Sequence, residues 1–490
     1  MSRTERIIPI VSLFAVWALF HDYFPPFQKV HLWADIEGYH WPLLSYAYTS
    51  LREGRFPLWD SAIYCGIPFA GNIQAGLFYP PNWLLFAAQA HRTRILYTAV
   101  EALAVAHVWL AFIFGFLWLR ERAAHWLPGV LGASVVGCSG YMLSQMHHLG
   151  VICGYAWMPF GLWGIEQASR QRHWHPLWKL ALGLSMCLLA GYPPTFMAFC
   201  LIAGAYALAL PGRRRLFLQV LGAAGFSLLL SAVQLLPALE VVREKIAEAS
   251  FGSVLPDHPR FYLSFLLPNF YDQNRTGTGP EAADGDYMYL GAAAVFGLLY
   301  LVRRPQVVAR ILPGLVMVAV ILLVIEDPGK VVSKVVYAMP VVPDILRNYN
   351  MLAGIPLAAA LIVSGAVGDL TGKGSSAPGP RWISGWMLWG WMLVAAGGVL
   401  FLLYTARKGP PEFEAGIASA AYAGVAVALL WTGLVMYRAS DSPVRAHAVA
   451  ALLLLIVFAE CRAFGVNRRF NAVTGNTDEL LTGDVREGGS

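Results

Sequence analysis

The chain is predicted to be an all-α polytopic membrane protein with about 11–13 transmembrane helices, and three observations predict it. Hydrophobic residues make up 57% and charged residues only 13% of its 490 residues, and the mean hydropathy is +0.55. That leaves too little polar surface for a soluble globule of this length. Apolar runs of about 20 residues recur along nearly the whole chain, the length an α-helix needs to cross a bilayer while satisfying its own backbone. The residues behind a formal net charge of +6 fall in short clusters between those runs: Arg120/Arg122, Arg170/Arg172, Arg213–Arg215, Arg303/Arg304/Arg310 and Lys373/Arg381. Such clusters are topogenic charges, not a nucleic-acid surface.

The first span, near 7–24, follows Arg3 and Arg6 and lacks a small-residue cleavage site, so it reads as a retained helix. Further spans are expected near 95–119, 127–146, 149–167, 177–191, 195–210, 216–237, 286–302, 307–325, 350–367, 382–405, 413–437 and 445–465. Pro159 in WMPF and Pro193-Pro194 in AGYPPT are expected to break or tighten helix ends. With the basic clusters in the cytoplasm, the loops at 25–93, 238–285 and 326–349 share the opposite compartment. The first of them is long and carries interfacial helices, beginning with a short amphipathic one over 42–51 that ends at Gly54. TGKGSSAPGP opens a flexible cytoplasmic linker, 371–381, dividing a polar-featured module, 1–370, from C-terminal helices, 382–465, expected to be scaffold with few buried polar groups. Residues 466–490 read as a disordered tail. The six cysteines form no disulfide framework or zinc spacing.

Candidate chemistry concentrates in the loops. Asp35 and Glu37, in WADIEGYHW just beyond the first span, could serve as general base toward a hydroxyl if the site is shielded, or could be a solvated pair at a helix end. Trp59 and Tyr79 offer flat faces that stack on sugars or anchor at the interface, with Asn72 and Gln74 as hydrogen-bonding groups among them. His147 and His148 suit a phosphate, a proton shuttle or a helix cap. Asn269 belongs to an acid-containing loop with Asp272, Asp284 and Asp286, whose spacing fits no EF-hand; neither Mg²⁺ nor Mn²⁺ is required by the sequence. Arg347, just before a span, can fork onto a lipid phosphate or pyrophosphate, or set topology.

The order of motifs GRFPLWDSAIYCGIPFAGNIQAGLFYPPNWLLF, SGYMLSQMHHLG, AWMPF, LLAGYPPTF, AVQLLPALE, LLPNFYD and YMYLG over about residues 30–370 resembles the bacterial YfhO family of polytopic membrane proteins. That family looks like part of the GT-C superfamily of glycosyltransferases. The resemblance implies a GT-C-like fold in the bacterial cytoplasmic membrane and a sugar taken from a polyprenyl-phosphate donor on the extracytoplasmic face. The acceptor would be a cell-envelope glycan, lipid or protein, and the general base would fall on Asp35, with Glu37 as runner-up. The chain departs from the family's pattern at LRNYNML, which keeps only Arg347, and lacks the large C-terminal extension of longer relatives. A lipid or polysaccharide transporter and a non-catalytic scaffold of the same fold are the alternatives.

Overall fold

The computed structural model describes residues 3–63, 65–123, 125–244, 259–268, 288–304, 307–327, 330–338, 348–372, 417–440, 442–466 and 472–474. Helix α1 (Arg3–Leu19) leads into the first loop, which holds strand β1 (Val30–Leu32), a wide π-type turn at Ile36–His40, and helices α2 (Trp41–Arg52) and α3 (Pro80–Ala88). Helix α2 is the expected amphipathic helix. Pro42 sits in its first turn, where a missing N–H costs nothing, and Gly54 at φ +71° lets the chain leave it.

Helix α4 (Tyr97–Arg122) is the central post of the bundle, with Val100, Ala104, Val108, Ala111, Phe116 and Trp118 fully enclosed. Helix α5 (Trp126–Cys138) packs on it and is followed by α6 (Gly140–Ser144), α7 (Leu149–Ala156), α8 (Met158–Gln171), α9 (Trp178–Leu189), α10 (Pro193–Leu208), α11 (Arg213–Leu230) and α12 (Ala232–Glu244). Beyond the second long loop come α13 (Ala292–Arg303), α14 (Val308–Glu326), α15 (Val331–Tyr337), α16 (Asn348–Met351), α17 (Gly354–Thr371), α18 (Ile417–Ala439), α19 (Pro443–Glu460) and strand β2 (Ala472–Thr474). Helix α5 is held between α4 and α17 by small residues: a Cβ on Gly132 would lie 2.4 Å from Leu119 and 2.9 Å from the Ala360 carbonyl. In a membrane, such close approach supplies the packing that the hydrophobic effect cannot.

The all-α multi-pass class holds, but the span count does not reach 11–13 among the described residues. Six helices are long and apolar enough to cross a bilayer, or seven if α11 and α12 count as one span bent by 74° at Ser231. Helices α9, α10 and α13 are apolar but shorter, and the expected span at 382–405 lies outside the described residues. The expected 149–167 span is two helices, because Pro159 occupies the first turn of α8 and cannot donate a hydrogen bond back across Trp157. The expected 127–146 span is present as Trp126–Ser144, helices α5 and α6 running on through Ser139, whose side chain caps α6.

The basic loops converge at one end of the bundle. Arg120 pairs with Glu5; Arg122 donates to Glu166 at 2.7 Å and to the Arg310 carbonyl at 2.7 Å; Arg170 also reaches Glu166, and Arg310 pairs with Asp369. The start of α1 and the ends of α4, α8 and α17 therefore meet there, as the charge pattern predicts. Two features of the C-terminal part differ from expectation. Within the stretch expected to be a disordered tail, β2 pairs antiparallel with β1, His31 opposite Val473. Helix α19, expected to be apolar scaffold, buries Glu460, which accepts hydrogen bonds from the Tyr289 hydroxyl and the Ala292 amide, while Arg462 pairs with Asp22 just after α1. The linker thus divides the sequence without separating its two sides in space.

Candidate functional site

At the end of α4 away from the basic loops, the first loop folds against the turns that precede α7 and α10. Gly191, at φ +100°, brings the turn before α10 so close that a Cβ there would lie 2.5 Å from the Ile73 carbonyl and 3.1 Å from Gln74. Gly150 at the start of α7 lies against the same turn, where a Cβ would meet the Ala190 carbonyl at 3.1 Å. On the other side Gln234 of α12 donates to the Ala70 carbonyl. Three of the motifs read in the sequence, in the first loop, before α7 and before α10, are thereby packed together.

Asp35 opens the Ile36–His40 turn, and its Oδ2 lies 2.9 Å from His148 Nε2. The other ring nitrogen, Nδ1, lies 2.8 Å from Gln145 Oε1. Both ring nitrogens of His148 thus lie within hydrogen-bond distance of a side-chain oxygen. The rings of His147 and His148 are 3.9 Å apart, and His147 is buried while His148 and Asp35 are partly open to solvent. The hydrogen bond from His148 holds the Asp35 carboxyl below the usual carboxylate range; partial burial opposes this, and the charges of His148, His147 and His40 reinforce it. His40, which closes the turn, is buried, and desolvation pushes its imidazole down to about 4, with Asp35 pulling the other way and His148 and His147 adding to the depression. One ionised carboxylate thus faces three imidazoles in different environments.

A small pocket beside His40 is lined by Gln74, Tyr79, Asn82, Gly150 and Cys153. Asn82 donates to the Gly76 carbonyl, while its Oδ1 is buried without a hydrogen-bond partner among the described residues. Tyr79 is fully buried, its hydroxyl held by His107 at 2.7 Å and by the Trp157 indole at 2.9 Å. Asn72 donates to the Tyr39 hydroxyl at 3.4 Å and accepts from the Gln74 amide, tying it to the turn that carries Asp35. Trp59 is exposed and folds over Gly66 in its own loop, with no contact to the Asp35 group among the described residues. Glu37 is half-buried and forms no hydrogen bond or ion pair among the described residues. Asn269 and Arg347 lie outside the described residues.

Two participants were not singled out from the sequence: His40 and Gln145. Neither carries a signal, since His40 sits in a turn without periodicity and Gln145 gains its role only because the chain turns between α6 and α7. Among the described residues no group of three or more His, Cys, Asp or Glu side chains is arranged to hold a metal ion.

No family model and no curated protein matches the chain. Among solved structures it is similar to the crystal structure of ArnT from Cupriavidus metallidurans bound to undecaprenyl phosphate, at 13% identity, with 95% of this chain and 78% of that chain covered and a TM-score of 0.41. A superposition that loose does not establish a shared arrangement of helices.

Proposed function

We propose that the protein is a GT-C-type membrane glycosyltransferase of the bacterial cytoplasmic membrane that moves a sugar from a polyprenyl-phosphate donor to an extracytoplasmic acceptor hydroxyl. The observation that supports it is the Asp35–His148 pair, 2.9 Å apart at the end of the bundle opposite the basic loops. A carboxylate that is ionised, partly open to solvent and fixed by an imidazole can take a proton from a hydroxyl. In this reading the acceptor oxygen forms its bond to the anomeric carbon as the carbon–phosphate oxygen bond breaks. The bonding pair leaves with the polyprenyl phosphate, the hydroxyl proton passes to Asp35, and the anomeric centre inverts. His147, His148 and Arg347 are assigned to the leaving phosphate, and Asn72, Gln74, Tyr79, Trp59 and Asn269 to the sugar and acceptor.

Glu101 lies in the second turn of α4 and Glu460 ends α19, while Glu166, in the second half of α8, is held by Arg122 and Arg170, which does not favour a transport path. The test is a transfer assay with purified protein, a panel of radiolabelled polyprenyl-phosphate sugars and envelope acceptors. Asp35→Asn, which keeps the side chain's shape and an oxygen for His148, is expected to lower kcat by about 10²–10⁴-fold with the donor still bound. A fully active Asp35→Asn would remove Asp35 as the base.

A further inference from the structure

Two side chains of the central helix hold the strand that leads to Asp35. Leu32, the last residue of β1, has both backbone polar groups taken by side chains of α4: its N–H donates to Glu101 Oε1 at 2.7 Å, and its carbonyl accepts from the Tyr97 hydroxyl. In an antiparallel pair a residue's two backbone groups face the same way, so Leu32 turns both away from β2 and toward α4, leaving His31 to face Val473. The strand is therefore gripped on both edges, by the helix and by β2. Two residues later Ala34 stands at φ +58°, left-handed backbone that a residue with a Cβ seldom adopts, and its carbonyl accepts from Gly38 at 2.8 Å. Asp35 is the next residue. A strained link persists only where its surroundings over-determine it, and here they do so on both sides, through Leu32 before it and the Ile36–His40 turn after it.

Glu101 is fully buried, and its second oxygen has no hydrogen-bond partner among the described residues. Beside it on α4, Tyr97 packs edge-on to His31 and against Trp41. A carboxyl group buried near the end of a membrane helix for the sake of one backbone amide is an expensive way to hold a strand, and in membranes ionisable groups mark function by default.

We propose that Glu101 and Tyr97 are positioning residues: they clamp the Leu32 backbone to α4 and so hold Ala34 in its strained conformation and Asp35 against His148. The consequence for catalysis rests on the glycosyltransferase reading; the clamp itself does not. The experiment pairs hydrogen–deuterium exchange of the peptide covering 28–36 with the transfer assay, on the full chain in nanodiscs. Glu101→Leu is expected to speed exchange of the Leu32 amide about tenfold, the loss of one buried hydrogen bond. It should also lower kcat about 10–100-fold at unchanged KM, while Glu101→Gln, which keeps the acceptor oxygen, restores both. Tyr97→Phe removes only the hydroxyl, keeps the ring packing, and is expected to lower kcat in the same manner if Glu101→Leu fails to fold. Unchanged exchange in Glu101→Leu overturns the clamp. Faster exchange with unchanged kcat overturns the positioning role. Faster exchange in a protein whose wild type transfers no sugar upholds the clamp and counts against the glycosyltransferase reading alone.

Discussion

His40 makes the fold acid-sensitive in a way that can be worked out from its surroundings. Its ring is buried at the end of the turn that carries Asp35, and desolvation lowers its pKa from 6.5 to about 4. The unfolded chain then binds the proton first, so stability is complete above pH 6.5 and is lost as the pH falls toward 4. Between pH 7.5 and 4.5 the two binding curves integrate to about 2.5 kcal/mol for this single group. The groups that face it are Asp35, which favours its charged form, and His147 and His148, which oppose it. The assay is the unfolding free energy of wild type and His40→Gln, measured by SDS titration at pH 7.5, 6.0, 5.0 and 4.5. Because other carboxylates and histidines titrate in both proteins, the relevant quantity is the difference between the two curves. His40→Gln should lose about 2.5 kcal/mol less than wild type over that range. Parallel curves would refute the reasoning, since they would mean that the ring either reaches solvent or gains a partner when protonated.

The same site carries a prediction about rate. His148→Gln removes the hydrogen bond that contributes most to lowering Asp35, so the carboxyl should rise toward its ordinary range and the acid limb of the transfer rate should move to higher pH; an unmoved limb in the pH–rate profile would detach His148 from the base. Sidedness is tested by native chemistry. Cys65, in the first loop, is the exposed cysteine among those of the chain, so a membrane-impermeant maleimide applied to intact cells should label it, whereas Arg172→Cys at the basic end should react only after the membrane is opened; the reverse pattern would invert the orientation.

The features legible in the sequence are those with a local cause. Helices α4, α14 and α17 are continuous apolar runs, and α2 is announced by its amphipathic pattern, a proline in its first turn and Gly54 after its end. The basic clusters could be placed together because topogenic charge is a rule about position along the chain. What could not be read arises from contacts between distant segments. The 74° bend at Ser231 has no proline or glycine to mark it; Pro237 lies further along, where the start of α12 is already turned against the first loop. Strands of three residues such as β1 and β2 are too short for alternation to register, and each finds its partner from nearly opposite ends of the chain.

The same limit applies to the candidate site and explains why its parts carry separate roles in the sequence. In sequence Asp35 reads as a base and His148 as a phosphate ligand because nothing local joins them, yet they share a hydrogen bond. That bond has a chemical consequence the separate roles conceal. A carboxylate held below its usual range is always ionised at neutral pH but is a weak proton acceptor, since a general base works best when its pKa lies near the working pH. His148 cannot fully serve a donor phosphate and Asp35 at once through the same Nε2. Under the proposed function, a phosphate that draws the imidazole away would leave Asp35 without the interaction that most depresses it. Its basicity would rise at the moment the donor is in place, so that the loop holding Asp35 still and the histidine restraining it would act in sequence, one setting position and the other timing.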